Sequence, residues 1–222
     1  MELGRQGIAS AAQPSWLGAL ARGVVAAGLV GSAGAWSGPV ALVLALASGL
    51  TFFDLGRRDR AERVESADRQ RDRFGDAMQF AFFAVLCAAA WDNRRESGFP
   101  ALGGMEFLGL ALTAAGAGLR QLAARALGRQ FTVKISLLDD HRLVSTGPYR
   151  WLRHPNYAGL GLIAVGTVLM LRSPTAAAAA LLLWLPAMLL RIRNEERTLR
   201  ARLGAAYSDY ARRSWRLVPG VY

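Results

Sequence analysis

Apolar positions along this 222-residue chain come in blocks, and polar positions are gathered between them. Six apolar blocks stand out, at about 16–35, 39–53, 77–91, 101–119, 157–171 and 175–190. Continuous apolar runs of this kind predict helices surrounded by hydrocarbon, not amphipathic helices lying on a soluble core. Crossing about 30 Å takes roughly 20 helical residues. The shorter blocks therefore need flanking arginines that snorkel, or a locally thin bilayer. The expected fold is all-α: a polytopic helical membrane protein with five to six transmembrane helices. Residues 175–190 pair with 157–171 through the tight turn "RSP", which makes a helical hairpin.

The polar blocks give the orientation. With the N-terminus inside, 24 of the 27 basic residues fall on the inner side, and only Arg94, Arg95 and Arg172 fall outside. Basic residues gather on the cytoplasmic side, so both termini, the charged loop 54–76 and the connector before residue 157 are expected there. Trp16, Trp36, Trp91, Trp151 and Trp215 lie near block ends, where interfacial aromatics belong. In the loop 54–76, acids and arginines interleave at helical spacing, as in Asp59 with Arg63 and Glu65 with Arg69, and read as a solvated face. Two regions follow: 1–119, the N-terminal transmembrane helices, and 120–222, a core of connector, hairpin and C-terminal cytoplasmic helix.

Composition sharpens this. A net charge of +11 can mark nucleic-acid binding, but the arginines flank apolar blocks instead of decorating a polar fold, so no nucleic-acid partner is expected. Arginine and alanine bias points to a bacterial inner membrane. Cys87 is the only cysteine, which excludes an intramolecular disulfide. Arg22, "VVAAGLVG" and "AGA" mimic a cleavable leader. Because a second apolar block begins at residue 39, they read as a retained helix, with Arg22 snorkelling.

Chemistry concentrates in 134–157 and 191–219, which bracket the hairpin. A chain that leaves through 157–171 and returns through 175–190 brings both stretches to one membrane face. His154 and Glu195 thereby become candidate neighbours. Carboxylates orient ammonium or hydroxyl groups, aromatic faces attract a sulfonium, and Pro148 and Pro155 interrupt helix and leave backbone groups for a ligand. Two histidines without a third ligand at useful spacing make a metal site a poor reading. Tyr207 and Tyr210, three apart, read as packing, and Trp184 and Met188 as core or lipid-facing.

The ordered elements His141, Leu143, Val144; Gly147, Pro148, Tyr149; Arg153, His154, Pro155, Tyr157; Glu195, Glu196, Leu199, Gly204, Tyr207, Tyr210 and Pro219 resemble the isoprenylcysteine carboxyl methyltransferase family. The resemblance implies S-adenosyl-L-methionine as cofactor. It also implies a cofactor pocket of Lys134, His141, Arg142, Leu143, Val144, Tyr149, His154, Pro155, Asn156, Tyr157 and Glu195, with Arg191 orienting the methyl acceptor. The expected partner is a lipophilic small molecule, lipid or prenylated substrate that enters from the bilayer, while the cofactor enters from the cytoplasm.

Methyl transfer is an in-line displacement at a sulfonium, so an anionic acceptor needs placement and exclusion of water more than a base. For a neutral hydroxyl or amine, His154 or Glu196 is the candidate base. Asn156 departs from the family pattern. "RHPNY" is also common in membrane sterol reductases, which makes an NADPH-dependent reductase the second reading and a scaffold without chemistry the third.

Overall fold

The computed structural model describes residues 73–95, 103–127 and 143–222. The first two apolar blocks and the loop 54–72 lie outside these residues, so the expected five to six spans are seen here only in their last four. Those four are helices: α1 (Arg73–Arg95), α2 (Gly104–Leu127), α3 (Pro155–Met170) and α4 (Pro174–Ala179), which continues through a π turn (Ala180–Trp184) into α5 (Leu185–Arg212). No strand occurs among the described residues, only one isolated parallel bridge between Leu152 and Trp215.

The π turn has a local cause. Pro186 has no N–H to bond the carbonyl four residues back, and its ring crowds that carbonyl. Widening the preceding turn relieves the clash without breaking the helix.

Two helices are long and apolar enough to cross a membrane, Gly104–Leu127 and the merged Pro174–Arg212, while Pro155–Met170 is shorter. Its 16 residues rise about 24 Å, less than the hydrocarbon thickness. The surface suits a bilayer: Phe107, Leu108, Val165, Leu181, Leu182 and Leu183 are all exposed, Leu182 at 73%. Water would penalise such a girdle and hydrocarbon does not.

The expected C-terminal helix is continuous with the second arm of the hairpin. Hydropathy drops after Leu190, but nothing breaks the backbone ladder there. The helix runs on through "RIRNEERTLR", whose residues are good helix formers, as far as Gly204. Gly204 then adopts φ 52° and ψ −122°, a conformation open to glycine, and kinks the helix before Arg212.

Helices α2 and α3 run antiparallel with their backbones in contact. A Cβ on Gly116 would lie 2.5 Å from the Gly159 carbonyl oxygen, and one on Gly109 would lie 2.6 Å from the Met170 nitrogen. Small residues that let backbones meet are how helices associate in lipid. Helix α1 packs on the other side of the hairpin, with the Phe82 ring 5.9 Å from Trp184 and tilted by 60°. Trp184 and Met188 are both buried, as core.

The hairpin turn is tied down at the end away from the polar cluster. Arg172 takes φ 46°, and its Nε donates to Glu106, which is fully buried and also accepts from the Gly103 amide. Asp92 on α1 accepts from the Ser173 hydroxyl at 2.7 Å and from the Thr175 hydroxyl at 2.7 Å. These bonds fix the register of the hairpin, and so the position of its other end.

Candidate active site

At the opposite end, the connector arrives as extended chain and turns through a short 3-10 helix (Gly147–Arg150) opened by Pro148. Residues 151–154 then lie beside the chain that follows α5. The Trp215 amide donates to the Trp151 carbonyl at 2.9 Å, Arg153 to Trp215 at 2.7 Å, and His154 to Arg216 at 3.1 Å. This backbone clamp delivers His154 to the start of α3, where Pro155 is the first helical residue. Tyr210 adds a second tie, its hydroxyl donating to the Tyr149 carbonyl at 2.8 Å. Burial pushes the Tyr149 phenol up, well above its ordinary range.

Two polar chains meet here. In the first, Arg191 Nε donates to the Tyr157 hydroxyl at 3.0 Å, and that hydroxyl donates to Glu195 Oε2 at 2.8 Å. Arg191 is buried and Glu195 half-buried. Helical spacing of four puts both on the face that meets α3. The second chain centres on Glu196, whose side chain is 3% exposed. It accepts from Arg216 Nη2 at 2.9 Å and Nε at 3.1 Å, pairs with Arg200 at 3.3 Å and Arg153 at 3.4 Å, and lies 3.4 Å from His154 Nε2. Burial pushes its carboxyl up, but the bonds from His154 and Arg216 outweigh burial and hold it down at about 2. A carboxylate held there is a weak base. The His154 ring stacks on Tyr157, with centroids 5.6 Å apart.

Of the residues singled out from the sequence, Tyr149, His154, Pro155, Tyr157, Arg191, Glu195 and Glu196 come together at this one end. Asn156 sits beside them at the first turn of α3, and Leu143 and Val144 are half-buried on the approach. Lys134, His141 and Arg142 lie outside the described residues. Sequence reasoning missed Arg216, which no motif marks. Reading Tyr207 and Tyr210 as packing caught their ring contact, 6.0 Å between centroids, but not the Tyr210 bond to the connector.

Among the buried polar atoms at this end with no hydrogen-bond partner among the described residues are Asn156 Oδ1, Arg153 Nε and the Tyr207 hydroxyl. Buried polar groups are seldom left so. A polar ligand with several donors and acceptors would satisfy them. Acids, phenols and stacked aromatics gathered at one end suit a cationic, hydroxyl-bearing molecule.

Comparison with known proteins identifies a family. The family model described as "Isoprenylcysteine carboxyl methyltransferase (ICMT) family" matches residues 108–201. A probable protein-S-isoprenylcysteine O-methyltransferase of Oryza sativa subsp. indica is 37% identical over 140 residues, which is 62% of this chain and 71% of the rice protein. Protein-S-isoprenylcysteine O-methyltransferase B of Arabidopsis thaliana is 39% identical over 116 residues, 51% of this chain and 58% of that protein. The structure of a eukaryotic intramembrane Ras methyltransferase, an isoprenylcysteine carboxyl methyltransferase, superposes with a TM-score of 0.58 at 20% identity. It covers 84% of this chain and 70% of that one, and so shares its fold. These matches lend no support to the reductase reading. The relatives named are eukaryotic, so the bacterial inner membrane rests on composition alone.

Proposed function

The chain belongs to the isoprenylcysteine carboxyl methyltransferase family and is an integral membrane methyltransferase; from that premise we propose that it takes a methyl group from S-adenosyl-L-methionine and passes it to a lipophilic carboxylate presented from the bilayer. The observation that carries the reading is the chain Arg191–Tyr157–Glu195, a buried guanidinium fixed beside a carboxylate by one phenol. Glu195 offers its acid to a hydroxyl or ammonium of the donor. Arg191 offers a planar cation suited to bidentate recognition of an acceptor carboxylate. Tyr157 keeps the two in register.

The donor supplies an electrophilic methyl on a sulfonium. What this chain adds is placement. The residues that would hold the donor are Tyr149, His154, Pro155, Asn156, Tyr157 and Glu195, with Lys134, His141, Arg142, Leu143 and Val144 on the connector. The orphaned Asn156 Oδ1 supports that assignment. A carboxylate acceptor arrives already anionic, so no proton must be removed, and holding it in line with the methyl lowers the barrier by removing orientational freedom. Glu196, tied to guanidinium groups, then positions His154 and Arg153 instead of acting as a base. The inner, cytoplasmic side is favoured for this end because the arginines gather there.

The test is calorimetric titration of detergent-purified protein with S-adenosylhomocysteine and, separately, with NADPH, in wild type and Glu195→Ala. Micromolar binding of S-adenosylhomocysteine that the substitution abolishes is the expected result. Binding of NADPH in its place would overturn the proposal. Methylation of a prenylcysteine carboxylate but not of its methyl ester or amide analogue then identifies the accepting group.

A further inference from the structure

Tyr207 and Tyr210 are one helical turn apart, pack ring against ring, and sit beside the same polar cluster, yet their hydroxyls fare differently. Tyr210 donates to the carbonyls of Tyr149 at 2.8 Å and Leu152 at 3.3 Å. Tyr207, 1% exposed, has a hydroxyl with no partner among the described residues. Its surroundings are those of the site. The carboxylates of Glu196 and Glu195 and the guanidinium of Arg153 all act on it, and burial with the two acids pushes its phenol up. Gly204, three residues earlier, kinks the helix, and the Tyr207 ring beyond the kink is buried. Packing alone asks for phenylalanine at such a position, because an apolar ring fills the same space and strands no polar atom.

We propose that Tyr207 is a further binding residue of the methyl-donor pocket, its hydroxyl bonding a polar group on the nucleoside or amino-acid part of the sulfonium donor. The inference rests on the donor assignment above. It extends the pocket past the connector and Glu195 to the far side of the α5 kink. Since the bond exists only with ligand in place, the hydroxyl is a burden to the ligand-free protein and a gain to the complex.

That asymmetry gives the experiment. S-adenosylhomocysteine is titrated into full-length wild type, Tyr207→Phe and Tyr210→Phe in detergent, and the ligand-free Tm of each is measured. Tyr207→Phe is expected to bind about tenfold more weakly, the worth of roughly one hydrogen bond, with a ligand-free Tm equal to or above wild type. Tyr210→Phe, losing bonds made within the protein, is expected to lower the ligand-free Tm. Unchanged affinity in Tyr207→Phe overturns the inference, since water then satisfies the hydroxyl. A lowered Tm in Tyr207→Phe, with or without weaker binding, also overturns it, because the role is then structural. If wild type fails to bind, the donor assignment falls first and takes this inference with it, and that outcome shows before any substitution is made.

Discussion

Replacing Arg216 by alanine isolates the clamp that assembles the site. The substitution removes the contacts to Glu196 at 2.9, 3.1 and 3.2 Å and the Arg216 Nη1 bond to the Tyr222 hydroxyl at 2.9 Å. Breaking a fully buried ion pair costs about 3–5 kcal/mol because a charge is left uncompensated. Two features of this pair lower that figure. Arg216 is 27% exposed, and Arg200, Arg153 and His154 remain within 3.3–3.4 Å of the carboxylate. A loss of about 2 kcal/mol follows, between the buried limit and the value of a surface pair. The backbone bonds of Arg153 and His154 to Trp215 and Arg216 do not involve the side chain and survive. Stability is read by denaturant unfolding in micelles, as a double-mutant cycle with Glu196→Gln. The cycle should return at least about 1 kcal/mol of coupling between the two positions. Coupling below about 0.5 kcal/mol, or an equal loss in Arg200→Ala, would refute the claim that Arg216 is the principal partner of Glu196.

Three further outcomes are expected. The Glu196 carboxyl is held at about 2, below its ordinary 4.5, so its contribution to stability is full above about 4.5 and is lost as pH falls towards 2. Acid unfolding should steepen across that window in wild type and flatten in Arg216→Ala, where the folded value moves back towards 4.5. Gly116→Leu should part α2 from α3 and cost about 3 kcal/mol or more, because its Cβ would meet the Gly159 carbonyl oxygen, whereas Gly118→Ala, with open space around it, should be neutral or stabilising on unfolding. Tyr157→Phe should lower kcat/KM about ten- to a hundredfold, since it unlinks Arg191 from Glu195, and should also lower the Tm by the worth of about 1–3 kcal/mol because the buried guanidinium loses a partner; a lowered Tm with kcat/KM unchanged would show that the phenol is structural only.

The helical hairpin was legible because its signal is local. An apolar run, a proline turn and a second apolar run admit few arrangements in a bilayer, and they bring His154 and the Glu195–Glu196 pair to one end. What the sequence hid was each contact made between distant backbones. Residues 151–154 pair with 215–216 through amides and carbonyls, which every residue carries, so no side-chain pattern announces the clamp. The glycine seam was visible in principle, as Gly109 and Gly116 seven apart facing Gly159 and Gly166 seven apart, but it lay within runs read only for hydropathy. The continuity of α5 was hidden for a related reason. Hydropathy reports where lipid ends, whereas the helix ends where backbone hydrogen bonding fails, and that waits until Gly204.

Together these features explain why the polar cluster stands at the lip of the bilayer. Irregular backbone near hydrocarbon is tolerated only where its amides and carbonyls find partners. The clamp and the Tyr210 hydroxyl supply those partners to the connector, so a non-helical stretch can approach α3 closely enough for Tyr157 to reach both Arg191 and Glu195. Far from the cluster, Glu106 and Asp92 hold the opposite end of the hairpin and prevent it from sliding. A reaction accelerated by placement depends on that rigidity, because an error of about 1 Å in the meeting of two bound reactants can cost a hundredfold in rate. The bonds at the two ends of the hairpin therefore serve the same step, one by positioning the reacting groups and the other by keeping the helices that carry them in register.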